Sequence, residues 1–154
     1  KYLENFVEAN FKIPGKALDL GAGNFIDVKG LTKKGWSCEG VDINIGVDLE
    51  RPFHSKNAPF DLVYSNYTIQ KIKNKKRFVM NIFDNLKPGG YFFLHTFDKT
   101  DKYGESGIDK EKIFELFEEN FIDIKTRVFR YYDRERGHKH WHQILEATGK
   151  KKLQ

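Results

Sequence analysis

Two glycines and the acidic residues around them are the residues best suited to chemistry. Gly21 and Gly23 follow a short apolar run at residues 17–20, which is typical of a buried strand in a parallel sheet. Glycine lets the backbone turn sharply and approach a ligand closely, because no Cβ intervenes. Turns of this kind, between a strand and a helix, bind nucleotides at the carboxyl edge of an open α/β sheet. This stretch therefore predicts a nucleotide-type cofactor site.

The residues around the turn indicate which nucleotide fits. A dinucleotide turn needs a third glycine, but Ile26 stands in its place. Asp19 lies just ahead of the turn, where it would repel a pyrophosphate and attract a cation. Asp42 ends the next predicted strand, at roughly the 20-residue spacing of a carboxylate that binds ribose hydroxyls. An adenosine that carries a positively charged amino acid fits best, and S-adenosylmethionine (SAM) is such a molecule.

Four motifs carry a resemblance to a known family. In order along the chain they are residues 19–23, 40–42, 60–66 and 86–91, and the sequence resembles class I SAM-dependent methyltransferases. The resemblance implies a Rossmann-like α/β sandwich with a mostly parallel sheet and a C-terminal antiparallel hairpin. It also implies methyl transfer from SAM, with S-adenosylhomocysteine (SAH) as the product.

The resemblance also implies roles for individual residues of the cofactor site. Asp19 and Gly21 would hold the methionine end of SAM, and Asp42 would bind the ribose. The predicted cofactor-binding residues are Asp19, Gly21, Ala22, Gly23, Asp42 and Ile43, then Asp48 and Leu49 beside the adenine, and Ser65 and Asn66 on the floor near the sulfonium.

One stretch departs from the usual layout of this family. Only five residues separate Asp42 from Asp48, whereas a crossover between parallel strands needs about a dozen or more. The second crossover helix is therefore predicted to be missing or reduced to a turn. Residues 45–49 are expected to form a stub of a third strand, beside an adenine pocket that is more open than usual.

The acceptor side has fewer signals, because in-line methyl transfer mainly requires alignment of an already activated cofactor. Residues 65–68 stand where amino-directed DNA methyltransferases carry an Asn- or Asp-Pro-Pro-aromatic motif, and neither proline is present. This argues against an adenine or glutamine amide nitrogen as the acceptor. Tyr67 is predicted as a catalytic residue in the lining of the acceptor pocket.

Three histidines alternate near the C-terminal end of the chain. In a strand this spacing places His138, His140 and His142 on one face. They could form a general base, an anion-binding cluster or a His-only metal site. His140 and His142 are predicted catalytic residues of the acceptor pocket, and no metal site is predicted because matching carboxylate ligands are not evident. His95, at the end of a predicted strand, is a further candidate base.

Composition limits the other function classes. The 154 residues fit a single domain, 1–154, and a net charge of +5 permits a nucleic-acid partner without requiring one. Cys38 is the only cysteine, which excludes an intramolecular disulfide and a Cys-based metal site. No apolar run approaches the ~20 residues that span a bilayer, and no signal peptide is visible. A cytoplasmic protein without a membrane partner is predicted.

The sequence as a whole favours a SAM-dependent methyltransferase that acts on a small molecule. Its layout is similar to the small type-11 and tellurite-resistance groups, and arginines between residues 127 and 136 would suit an anionic acceptor. The alternatives are a nucleic-acid (RNA) methyltransferase and a SAM-binding module without catalysis. A nicotinamide oxidoreductase is opposed by Asp19 and by the missing third glycine. No oligomeric state is predicted.

Overall fold

A computed structural model describes residues 1–104, 106–135, 137 and 139–153. Four helices flank one six-stranded sheet in this part of the chain. In chain order the elements are α1 Tyr2–Asn10, β1 Lys16–Leu20, α2 Ile26–Lys33, β2 Ser37–Val41, β3 Phe60–Asn66, α3 Lys75–Asn85, β4 Leu86–Phe97, α4 Lys110–Phe117, β5 Phe121–Asp133 and β6 His140–Lys151. Short 3₁₀ turns lie at Ile43–Ile45 and Ile69–Lys71.

The strand order is β2-β1-β3-β4-β6-β5. The pairs among the first four strands are parallel, whereas β6 runs antiparallel to β4, and β5 runs antiparallel to β6. This arrangement confirms the predicted Rossmann-like sandwich with its C-terminal hairpin.

The sheet is covered on both faces, as the apolar runs of its inner strands predict. Ala17 of β1 packs in one cluster with Leu3 and Val7 of α1. The next residue, Leu18, belongs to a second cluster with Ile82 of α3 and Phe117 of α4. Because neighbouring strand residues point to opposite faces, one short strand anchors both layers and fixes the carboxyl edge between them.

The second crossover helix is absent, as predicted. Between β2 and β3 the chain forms only the 3₁₀ turn Ile43–Ile45 and an irregular loop. The expected stub of a third strand at residues 45–49 is wrong, because these residues join no strand and β1 pairs directly with β2 and β3.

Two buried asparagines of α3 bind the loop that replaces the crossover. The Asn81 side chain accepts a hydrogen bond from Phe53 N at 3.0 Å and donates to Arg51 O at 3.0 Å. The Asn85 side chain accepts from Ser55 N at 2.9 Å and donates to Phe53 O at 3.0 Å. Backbone groups that would lack a ladder partner are thus satisfied by side chains.

The starts of two helices differ. Asp109 caps α4, since its Oδ1 accepts a hydrogen bond from Lys112 N at 2.9 Å. The helix α2 begins at Ile26 after Phe25, whose φ of 65° lies in the left-handed region. In the described part of the chain, no helix has the length and apolar character needed to cross a membrane.

Candidate active site

The glycine turn lies between β1 and α2 at the carboxyl edge of the sheet. Gly21 and Gly23 have φ angles of 84° and 56°, in the left-handed region that favours glycine. The backbone N–H groups of Gly21 and Ala22 both donate to Val41 O at 2.9 Å, which ties the turn to β2. A Cβ on Gly21 would collide with Thr68 Oγ1, whereas one on Gly23 would meet nothing within 4 Å. The space beside the turn is therefore filled at Gly21 and free at Gly23.

Asp42 connects the glycine turn to the loop after β2. Its Oδ1 accepts a hydrogen bond from Gly23 N at 3.1 Å, and its Oδ2 accepts one from Asn44 N at 3.0 Å. A carboxylate has about four acceptor sites on its two oxygens. Asp42 therefore anchors the turn and retains the capacity to accept further hydrogen bonds from a ligand.

Two adjoining cavities of about 560 and 590 Å³ form a groove along this edge, and they share Gly21, Gly23, Asn66 and Tyr67. One half is lined by residues that include Asp42, Ile43, Asp48 and Leu49. The other half is lined by residues that include Tyr2, Asp19, Ala22, Asp27, His95 and Tyr131.

Nine of the ten predicted cofactor residues line this groove, and Ser65 does not. Ser65 is fully buried, and its hydroxyl donates to Leu20 O at 2.7 Å. Its expected position on the floor near the sulfonium is therefore corrected: Ser65 cross-links β3 to β1 below the groove.

Asp19 is a buried acid in the half of the groove that His95 also lines. The pKa of its carboxyl group is raised to about 8, mainly by burial and also by the nearby carboxylates of Asp27 and Asp42, while a hydrogen bond with Tyr64 acts in the opposite direction. A buried carboxylate without a cationic partner is costly, which is why the proton is retained. Such a group suits a site where a ligand brings a positive charge.

Asp27 is a groove residue that sequence reasoning missed. It lies in the first turn of α2, and its Oδ2 accepts a hydrogen bond from Asn66 Nδ2 at 2.9 Å. The other amide atom, Asn66 Oδ1, is buried and has no hydrogen-bond partner among the described residues. An acid four residues after Gly23 was the available signal. The orphaned oxygen fits a donor group on a ligand.

Tyr67 lies where the two halves of the groove meet. Its φ of 60° is unusual for an aromatic residue, and its N–H donates to His95 O at 2.8 Å. Its ring lies 5.2 Å from that of Phe97, and burial holds the pKa of its hydroxyl above the usual range. Strained backbone of this kind is concentrated at functional sites, and it aims the Tyr67 side chain along the groove.

A chain of three side chains supports the far end of the groove. His95 Nε2 lies 2.7 Å from Glu146 Oε2, and Arg127 binds both Glu146 oxygens at 2.9 and 3.1 Å. Burial alone would raise the pKa of Glu146, but the hydrogen bonds from His95 and Arg127 lower it to about 2. An ionised Glu146 fixes the His95 tautomer with the proton on Nε2, which leaves Nδ1 as the basic nitrogen.

His140 and His142 occupy a different position from the predicted one. Neither histidine lines the groove in the described part of the chain. The Phe97 ring lies between His142 and Tyr67, with its centroid 4.9 Å from the His142 ring and 5.2 Å from the Tyr67 ring. His95, considered only as a further candidate, lines the groove instead. His138 lies outside the described residues.

The mostly parallel sheet, the glycine turn and the buried carboxyl group of Asp19, which suits a cationic ligand, together define a SAM-type cofactor domain. Residues 1–150 match a family model described as a methyltransferase domain, so the chain belongs to that family. This confirms the class predicted from the sequence, a SAM-dependent methyltransferase. No curated protein matches the chain.

Solved structures share the fold. A SAM-dependent methyltransferase from Methanosarcina mazei aligns with a TM-score of 0.79 at 17% identity, over 97% of this chain and 98% of that one. The 1,6-didemethyltoxoflavin-N1-methyltransferase of Burkholderia thailandensis, with bound substrate and SAH, aligns with a TM-score of 0.74 at 16% identity, over 99% and 78%. TehB from Haemophilus influenzae gives 0.74 at 14% identity, over 98% and 62%.

Proposed function

We propose that this enzyme transfers a methyl group from SAM to a small, electron-rich molecule bound at the His95 end of the groove. The observation that carries this proposal is the meeting of the two cavities at Gly21, Gly23, Asn66 and Tyr67. One cavity has the acidic residues and the apolar wall expected to bind adenosine. The other has acidic residues to bind the methionine end of SAM, together with aromatic residues at its rim.

In this proposal the groove residues bind SAM in order along the sheet edge. Asp48 and Leu49 flank the adenine, and Asp42 accepts hydrogen bonds from the ribose hydroxyls. The ammonium group of the methionine end pairs with Asp19, and it can also donate to the orphaned Asn66 Oδ1. Pairing the ammonium with Asp19 removes the cost of burying that carboxylate, which favours the bound state.

His95 is proposed as the base that receives the acceptor's proton. SAM supplies a methyl group that is already activated by its sulfonium. As the acceptor oxygen or nitrogen forms its bond to the methyl carbon, its proton passes to His95 Nδ1, and the bond to sulfur breaks with its electron pair. Glu146 and Arg127 hold the imidazole in the tautomer that this step requires.

The size and charge of the cavity support a small acceptor. A cavity of about 590 Å³ has to hold both the methionine end and the acceptor. The expectation of an anionic acceptor is weakened, because Arg127 is paired with Glu146 and the Arg130 guanidinium stacks over Trp141 at 4.4 Å. An uncharged aromatic or heterocyclic acceptor fits better between Tyr2, Tyr67 and Tyr131. The Burkholderia neighbour is, by its name, a 1,6-didemethyltoxoflavin-N1-methyltransferase.

The direct test is methyl transfer from radiolabelled SAM to a panel of phenols, heteroaromatic amines and thiols, with RNA as the competing acceptor. We expect label in one small-molecule class and none in RNA. Labelled RNA, with binding that falls steeply as salt rises, would instead establish the nucleic-acid alternative. SAH binding without transfer to any acceptor would favour a non-catalytic module.

Asp42→Ala is expected to weaken SAH binding by about 1–3 kcal/mol, because the ribose hydroxyls lose a charged acceptor. Calorimetric titration with SAH measures this change. Asp42→Asn is the matched variant, since its amide oxygen can still accept from Gly23 N and hold the turn. Unchanged affinity in Asp42→Ala would remove Asp42 from the ribose role.

A further inference from the structure

We propose that the open end of the β5–β6 hairpin binds one divalent transition-metal ion of the Zn²⁺ class through Asp133, His140 and His142. This site is separate from the cofactor groove, and nothing in the methyl-transfer proposal depends on it.

The hairpin register brings the three ligands together. Asp133 pairs directly with His140, and Tyr131, two residues earlier on the same face, pairs with His142. One ligand atom from each of Asp133, His140 and His142 lies within 4.8 Å of the others. The sequence pattern indicated the histidines. It did not indicate the carboxylate of Asp133 across the hairpin, which is the ligand that the prediction of a metal site lacked.

The distances suit a tetrahedral ion. His140 Nε2 lies 3.1 Å from His142 Nε2, and His142 Nε2 lies 3.8 Å from Asp133 Oδ2. Ligand bonds of about 2.0–2.1 Å in a tetrahedral site place neighbouring ligand atoms roughly 3.3–3.4 Å apart. Two of the three separations therefore lie within about 0.5 Å of the tetrahedral spacing, and all three lie within 4.8 Å.

A buried carboxylate holds His142 in the tautomer that metal binding requires. His142 Nδ1 lies 3.1 Å from Asp101 Oδ2, and Asp101 itself accepts hydrogen bonds from Gln143 N at 2.6 Å and from Tyr103 N at 3.2 Å. With the proton of His142 on Nδ1, its Nε2 lone pair points to the proposed ion. Carboxylate–histidine–metal arrangements of this kind are typical of zinc sites.

The alternative is a simple hydrogen bond between the two imidazoles. Such a bond does not require Asp133 as a third member of the cluster. It also does not require the Tyr103 ring, which stacks on His140 with ring centroids 4.0 Å apart. Two nitrogens and one oxygen favour Zn²⁺ over Mg²⁺ or Ca²⁺, which prefer oxygen ligands. The two carboxylates of Asp101 and Asp133 would balance the charge of the ion.

Three protein ligands leave one coordination position for water or a small ligand, as in catalytic zinc sites. The site lies next to the acceptor side of the groove, because Tyr131, the partner of His142, lines that cavity. A bound ion would thus fix the end of the hairpin beside the acceptor cavity.

The test is titration of the metal-free protein with Zn²⁺, and with Co²⁺ followed by visible absorption, in the absence of SAM. We expect one ion per chain with a Kd of about 1 µM or tighter, and the absorption bands of tetrahedral Co²⁺. His142→Ala should weaken binding at least about 100-fold, and Asp101→Asn about 10- to 100-fold.

Two further variants keep the result interpretable. Asp133→Asn retains the shape of a partly exposed side chain, so a loss of affinity with an unchanged melting temperature assigns the effect to the ligand. His54→Ala removes an exposed histidine of the loop after β2 and should leave Zn²⁺ binding unchanged. Zn²⁺ affinity that survives both His142→Ala and Asp133→Asn would overturn the proposal, as would the absence of saturable binding below about 100 µM.

Discussion

Asp19→Asn is expected to stabilise the SAM-free protein at alkaline pH and to weaken SAH binding. Asp19 is 2% exposed, and burial is the main reason that the pKa of its carboxyl group is raised from 3.8 to about 8. Asparagine resembles the protonated acid in shape and charge, so it avoids burying a charge. It also cannot pair with the ammonium group of SAH, which should cost about 10- to 100-fold in affinity.

The pH dependence follows from the direction of this pKa shift. Between pH 3.8 and pH 8 the folded protein holds a proton on Asp19 that the unfolded chain has released. The contribution of this group to stability is therefore complete below pH 3.8, and it is lost progressively as the pH rises from there through about 8. The free energy of unfolding of Asp19→Asn relative to the wild type should increase by about 4 kcal/mol between pH 5 and pH 9.

Urea denaturation at the two pH values measures this difference. Asp48→Asn is the matched control, because Asp48 is an exposed acid of the same groove and should show no such widening. If the free energy of unfolding differs between the wild type and Asp19→Asn by the same amount at pH 5 and pH 9, this would contradict the burial of a titrating Asp19.

His95→Gln is expected to lower kcat about 10²- to 10⁴-fold while SAH affinity stays unchanged. The glutamine amide can still donate to Glu146, so the fold around Arg127 is retained, but it offers no basic nitrogen. The measurement is steady-state kinetics on the acceptor found in the transfer assay, with calorimetry for SAH.

His54→Gln is the control for this variant, since His54 lies exposed on the loop after β2 and away from the groove. Glu146→Gln tests the positioning role separately: it should shift the pH profile of kcat, because an ionised carboxylate no longer supports the imidazole. Full activity in His95→Gln would assign methyl transfer to an acceptor that has no proton to lose.

The parts of the site that are local in sequence could be predicted. Asp19, Gly21 and Asp42 line one groove, because a strand, a turn and the following strand end determine their geometry within a few residues. The missing crossover was also predicted, since the spacing from Asp42 to Asp48 leaves no room for a helix.

The errors concern contacts between distant segments. Nothing near residues 45–49 shows that Asn81 and Asn85 bind the following loop, so a strand was expected there. Whether His95 or His142 lines the groove depends on which strand face is turned toward it. Asp133 became a ligand candidate only through its pairing with His140, because hairpin register is set by the whole turn.

The most direct test of the SAM groove is calorimetric titration with SAH at pH 7, in two buffers of different ionisation enthalpy and with NADH as control. We expect saturable binding of one SAH, no binding of NADH, and release of close to one proton, because the ammonium group of SAH lowers the raised pKa of Asp19. SAH binding without proton release would contradict the pairing with Asp19. Binding of NADH, or no binding of SAH, would contradict the groove itself.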